Sequence, residues 1–271
     1  MLGKLLKHDF IATWKVPVAL DAVLIALGIL TALVIQTFPH VEDSFGMSLF
    51  MFSFIGVFYI GIIAANVVTL IYLVIRYYRN LYTAEGYLTF TLPVKTDMIV
   101  HSKVITGSVW LFLSYLCTFI SILIAAIGFM VVTDVPLSEI GSALKEIYDV
   151  LGFAGSGFIP VIVITILITP IAGILCLYFS VSVGQLWQSH KILGSVLCII
   201  GLYIINQILS QFAFIGSGFW QMMGASGADI DASFGYIYRN MMLIMCIITV
   251  LQAAVYYAVC LIINRYKINL D

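Results

Sequence analysis

Charge is scarce in this chain of 271 residues: only 9% are Asp, Glu, Lys or Arg, against 63% hydrophobic. Soluble domains carry a charged share of about 25%, and a soluble core cannot absorb this much apolar surface. Proline is also rare, at 6 residues, so few points interrupt a long helix. The five cysteines, Cys117, Cys176, Cys198, Cys246 and Cys260, all fall inside apolar runs and form no CxxC pair. They read as small core residues, with neither a disulfide framework nor a thiolate metal site expected. The phosphate-binding pattern GxxxxGK[ST] is absent, and the Gly-rich pieces 152–157 and 216–227 contain no lysine to meet a phosphate. No HExxH motif occurs, and His8, His40, His101 and His190 stand apart from one another, which leaves no expected metal ligand set. Serines and aspartates in the apolar runs lack nucleophile and base spacing. No enzyme is expected, and no cofactor is expected in this chain.

Long apolar runs fill the space these absences leave. About 20 apolar residues cross a bilayer as a helix, and the sequence predicts six spans, at 16–38, 48–78, 98–132, 158–183, 192–214 and 236–264. The expected fold is an all-α membrane protein forming a single transmembrane domain. The second span should reach roughly 45 Å and the third more, against a hydrocarbon thickness of about 30 Å. Both should therefore project beyond the lipid.

Residues 1–15 place Leu2, Leu6, Phe10 and Trp14 at spacings of four, with Lys4, Lys7, His8 and Asp9 between them. That pattern predicts an amphipathic helix lying in the membrane interface. A cleaved signal peptide is the competing interpretation, but no small-residue cleavage site follows before Glu42. Residues 134–152 predict a second amphipathic helix on the outer surface, opened by Pro136 and closed by Gly152. Pro170 should kink the fourth span near Ile166, with Thr165 and Thr169 as candidate donors to freed carbonyls.

Ten basic residues, Lys4, Lys7, Lys15, Arg76, Arg79, Lys95, Lys103, Lys191, Arg265 and Lys267, fall on the side of the termini, and Lys145 and Arg239 opposite. The positive-inside rule then puts both termini and the stretch Arg76 to Thr96 in the cytoplasm, giving a multi-pass protein of the cell membrane. That stretch, RYYRNLYTAEGYLTFTLPVKT, is the longest polar interruption on the inner side and cannot lie in hydrocarbon. It predicts a short helix over 79–92 hung between two long spans. Its residue types suit docking onto a soluble partner better than chemistry.

Polar groups inside the spans are the other candidates. A charge at the bilayer centre costs about 2.5–3.5 kcal/mol on insertion scales. Asp21 is the one acid within a span, near enough to Lys15 that pairing with a neighbouring Lys or Arg competes with contact to a transported molecule. Asn66, Asn206, Gln207, Gln211 and Gln252 either line a polar path or hydrogen-bond between helices. So few buried charges disfavour a proton relay or an ion filter, and with them a secondary transporter.

The elbow-like first helix, the six spans and a first inner loop reading YRNLYTAEGYLTFTLPVKTDMIVHSK resemble the membrane subunits of type-2 ABC exporters of Gram-positive bacteria. Within that group the chain looks most like permeases that export phenol-soluble-modulin peptides. The resemblance rests on the run Glu85 to Val94 together with Lys95, Ser102 and Lys103. It implies a cytoplasmic ABC ATPase subunit in two copies, binding ATP and Mg, a second permease copy or paralogue, and an amphipathic peptide as substrate, with no nucleic-acid partner. It assigns ATPase coupling to Arg79, Asn80, Leu81, Tyr82, Glu85, Gly86, Tyr87 and Phe90. The rival expectation is a non-transporting membrane assembly or sensor protein that uses the same loop to bind a partner.

Overall fold

The computed structural model describes residues 2–37, 45–86, 91, 94–132, 141–142, 145, 158–187, 190–218 and 229–266. Among them the regular structure is helical and no strand occurs. The principal helices are α1 (Leu2–Thr13), α2 (Lys15–Ile35), α3 (Phe45–Tyr82), α4 (Thr96–Val132), α5 (Phe158–Gly184), α6 (Lys191–Gly216) and α7 (Asp229–Tyr266). Six of them, α2 to α7, are long and apolar enough to cross a membrane. At 1.5 Å per residue the 38-residue α3 and the 37-residue α4 measure about 57 and 55 Å. Both exceed the hydrocarbon core, as their sequences predict.

The chain divides into two compact units, residues 1–76 with 106–141, and residues 77–105 with 142–271. The first unit contains α1, α2 and the adjoining lengths of α3 and α4. Helix α1 runs into α2 with almost no break, because Trp14 keeps helical dihedrals and the ladder continues from Trp14 N to Phe10 O (3.1 Å) and from Val18 N to Trp14 O (3.1 Å). Pro17 has no N–H to reach the Thr13 carbonyl, which ends α1 there. The expectation for residues 1–15 put Asp9 on a polar flank and Trp14 on the apolar one. Instead Asp9 is buried and Trp14 exposed. The reason is Trp110 of α4, whose Nε1 donates to Thr13 Oγ1 at 3.0 Å while its ring meets Phe10. This turns the Asp9 and Thr13 side of α1 inward.

Small residues let α2 and α4 approach closely, as helices do in membranes where hydrocarbon gives no apolar driving force between them. A Cβ on Gly28 would stand 2.5 Å from Ser121 Oγ, and one on Gly128 would stand 2.6 Å from Ala32 Cα. Across the same seam Ser121 Oγ donates to Leu24 O at 2.7 Å.

In the second unit, α7 packs chiefly against α5, and α5 against α6. Helix α5 passes through Pro170 without interruption. Thr165 and Thr169 do bond backbone carbonyls, but those of Val161 and Thr165, four residues back in each case. The expected rescue of the Ile166 carbonyl is therefore corrected. At the α5–α6 turn, Gly184 leaves room for Ser195, whose backbone N would stand 2.6 Å from a Cβ there. Helix α6 closes on Gly218, whose φ of 98° is a left-handed conformation that glycine adopts without Cβ strain. Apart from residues 141, 142 and 145, the amphipathic stretch expected at 134–152 lies outside the described residues.

Candidate functional site

Helix α3 does not stop where the second span was expected to end at residue 78. It continues to Tyr82, Thr83 makes a bend, and residues 84–86 resume a helical turn. Arg79, Asn80, Leu81 and Tyr82 thus belong to the end of a long span and not to a separate coupling helix. Apolar and aromatic residues supply the reason. Leu81 is completely buried and Tyr82 is 6% exposed, so the end of α3 is packed into the second unit. The expectation that Leu81 and Tyr82 present surface to a partner is corrected on that ground, and Gly86 is buried too. Tyr87 and Phe90 lie outside the described residues.

The burial of Tyr82 is explained by a hydroxyl and amide network that joins three helices. Tyr82 OH donates to Asn264 Oδ1 of α7 at 2.7 Å and shares its proton with Ser182 Oγ of α5 at 3.0 Å. Asn264 Nδ2 donates to Tyr77 OH (3.1 Å) and to Cys260 O (2.8 Å). Tyr77 OH stands 3.1 Å from Ser182 Oγ and can donate to it, since Ser182 Oγ passes its own proton to Cys260 Sγ at 3.8 Å. Tyr77 is 1% exposed and stacks flat on Tyr178 of α5, with ring centroids 3.9 Å apart and planes 7° from parallel. Each polar group is satisfied inside the set, as burial in a low-dielectric interior requires.

The exposed face beside this network carries the charges. Arg79 Nη2 pairs with Glu85 Oε1 at 3.2 Å, and both side chains are well exposed, at 61% and 47%. The Asn80 amide, turned so that both ends are satisfied, donates to Glu85 Oε2 (2.8 Å) and accepts from Lys103 Nζ of α4 (2.9 Å). Nearby on α4, Asp97 Oδ2 accepts from Arg265 Nη2 of α7 at 2.9 Å. His101, expected to stand alone, meets Tyr257 OH at 2.7–2.8 Å and lies edge-on to its ring. The residues from Arg79 to Glu85 are therefore rooted in α4, α5 and α7.

Among the span candidates, Gln252 Nε2 donates to Asn206 Oδ1 at 2.9 Å between α7 and α6, and Asn66 Nδ2 donates to Thr118 Oγ1 at 3.0 Å between α3 and α4. Gln207 and Gln211 are exposed on α6, with Ser210 Oγ 3.4 Å from Gln207 Oε1. Asp21 has no basic partner among the described residues and is 7% exposed. Of the two alternatives, pairing with Lys or Arg finds no partner there: Ser114 and Cys117 of α4 are its neighbours. Sequence reasoning missed the Ser182, Tyr178 and Asn264 members of the network. Their signal was present only as small and polar residues at the ends of apolar spans.

Six apolar helices of spanning length joined by internal polar seams define a multi-pass helical membrane protein. Comparison with protein-family models, with curated proteins and with solved structures finds no match for this chain.

Proposed function

We propose that this chain is the membrane-spanning subunit of an ATP-driven exporter, moving an amphipathic substrate, a peptide by the resemblance of its inner loop, through the cell membrane. ATP and Mg belong to a separate cytoplasmic ABC ATPase, two copies of which work with this chain and a second permease copy or paralogue. The observation that carries the reading is the rooting of residues 79–85. Their outer edge, Arg79 and Glu85, is exposed, while Tyr82 three positions away bonds to α5 and α7 inside the unit.

A push on that edge has a direct mechanical route. Displacing Glu85 acts on Arg79 and Asn80, which lie within one turn of the buried Tyr82, and Tyr82 cannot move without moving Ser182 and Asn264 or breaking its bonds to them. Work done by a closing ATPase would in this way reach α5 and α7. Such coupling requires the partner to bind two arrangements of the network with different affinity.

The experiment is co-purification of the full chain with its ATPase, followed by substrate-stimulated hydrolysis and peptide uptake into inverted vesicles. Glu85→Lys is expected to abolish the complex or the stimulation while leaving the fold intact, since the residue is exposed. Unchanged complex formation and stimulation overturn the coupling role. A complex without any transport favours the assembly or sensor reading instead.

A further inference from the structure

Several polar atoms in the first unit are buried without a hydrogen-bond partner, among them Asp21 Oδ1, Asn66 Oδ1 and Ser114 Oγ. They belong to three helices, and register brings them to one level. Residues 97 apart in sequence are neighbours across the seam of α1–α2 with α4, as Thr13 with Trp110 and Leu24 with Ser121 show. By that register Asp21 falls level with Thr118. Asn66 of α3 bonds that same Thr118, at 3.0 Å. Leu27 of α2 meets Gly61 of α3, so six residues back on antiparallel α2 is again the level of Asn66. Ser114 lies one turn before Thr118 with its hydroxyl close enough to the Asp21 carboxylate to interact with it, yet neither Ser114 Oγ nor Asp21 Oδ1 has a partner at hydrogen-bonding distance and angle. Thr118 Oγ1 gives its proton to Ser114 O at 2.8 Å, which leaves its oxygen with acceptor character only.

The set is thus a carboxylate oxygen, an amide oxygen and two hydroxyl oxygens, brought to one level on α2, α3 and α4 with no basic side chain among them. Buried acceptors of this kind call for a positive ligand, because an unsatisfied polar atom is costly in a membrane interior. All-oxygen ligands select hard cations. The single carboxylate balances one positive charge; a divalent ion would leave an excess charge within the span, at the cost such charges carry. No group of three or more His, Cys, Asp or Glu suited to a metal ion occurs among the described residues. Asp21 and Ser114 are too enclosed, at 7% and 1% exposed, for an organic amine to enter without parting the helices.

We propose that Asp21, Asn66, Ser114 and Thr118 form a binding site for a small monovalent cation of the alkali type. The assignment is independent of the exporter reading, since it concerns the first unit alone.

The test uses the purified full chain in nanodiscs, with thermal unfolding followed in sodium, potassium or N-methylglucamine chloride at matched ionic strength and fixed pH. Sodium or potassium should raise Tm saturably, by about 3 °C at ten times its dissociation constant, relative to N-methylglucamine. Asp21→Asn should abolish the difference while keeping Tm in N-methylglucamine at or above that of the unaltered chain, because a neutral amide supplies the missing donor. Asn66→Ala should move the half-saturating concentration at least fivefold upward, and it carries the test if Asp21→Asn does not fold. Equal Tm in all three salts, or a cation dependence that survives in both variants, overturns the proposal. So does a Tm that follows pH and not the cation, which would make Asp21 a neutral acid bonded to its neighbours.

Discussion

Replacing Tyr82 by Phe removes one oxygen from the buried network and nothing else. Asn264 Oδ1 then loses the donor at 2.7 Å, whereas Ser182 Oγ keeps Tyr77 as a neighbour at 3.1 Å. A net hydrogen bond contributes about 1 kcal/mol, and a stranded buried acceptor costs about 1–3 kcal/mol. The second term governs here because Asn264 is 2% exposed and water does not reach it. The expected loss is about 2–3 kcal/mol, which for a chain of this size lowers Tm by about 4–12 °C. Asn264→Leu alone removes the acceptor of Tyr82 and the donor to Tyr77, but both phenols keep Ser182 Oγ, so it should cost no more than Tyr82→Phe, and the double variant Tyr82→Phe/Asn264→Leu should cost less than the sum. The coupling read from that cycle is expected at about 1–2 kcal/mol. Reversible unfolding in mixed detergent micelles gives the free energies, and amide hydrogen exchange over residues 77–86 reports whether the end of α3 loosens. Strict additivity with single losses under about 0.5 kcal/mol refutes the network as the root of this segment.

The close seam between α2 and α4 leads to a second expectation. Gly128→Val should force Ala32 away and destabilise by about 1–3 kcal/mol, read as a lower unfolding midpoint, with Gly28→Ala acting the same way through Ser121. By contrast, Arg265→Gln breaks an ion pair that is half open to solvent and should cost no more than about 1 kcal/mol. Its effect should vanish in 1 M salt, and a salt-independent loss would refute that assignment. Gln252→Leu leaves Asn206 Oδ1 without its donor; a loss of about 1 kcal/mol is expected, and an unchanged midpoint in the same unfolding assay counts against a contact between α6 and α7.

The spans were legible in the sequence because length and apolar continuity suffice to specify them, and α2 to α7 fall within a few residues of the expected limits at most ends. Two ends depart further: α7 starts at Asp229, seven residues before the expected limit, and α3 runs four residues past its expected end, to Tyr82. Charge and hydroxyl content after Tyr78 suggested a new element, but Leu81 and Tyr82 continue the buried side of the same helix. A tyrosine reads as interfacial or as docking surface until its hydroxyl partner is known. Here the partners Ser182 and Asn264 lie 100 and 182 residues away, beyond any local pattern. Asp21 shows a related limit: proximity to Lys15 in sequence offered a pair as one of two readings, but helical rotation carries the carboxylate to Ser114. Gly28 and Gly128 leave no mark on the periodicity, since a glycine matters through the neighbour it admits.

The joint between α3, α5 and α7 contains phenols, an amide, a hydroxyl and a thiol, and none of these bears a full charge in the arrangement described. An electric potential of 100 mV does about 2.3 kcal/mol of work on an elementary charge crossing a membrane, and none on a neutral set that moves as a body. The side chains of the joint therefore take up no such work themselves, and a dependence on voltage would have to enter through the charges beside them, Arg79 and Glu85 among them.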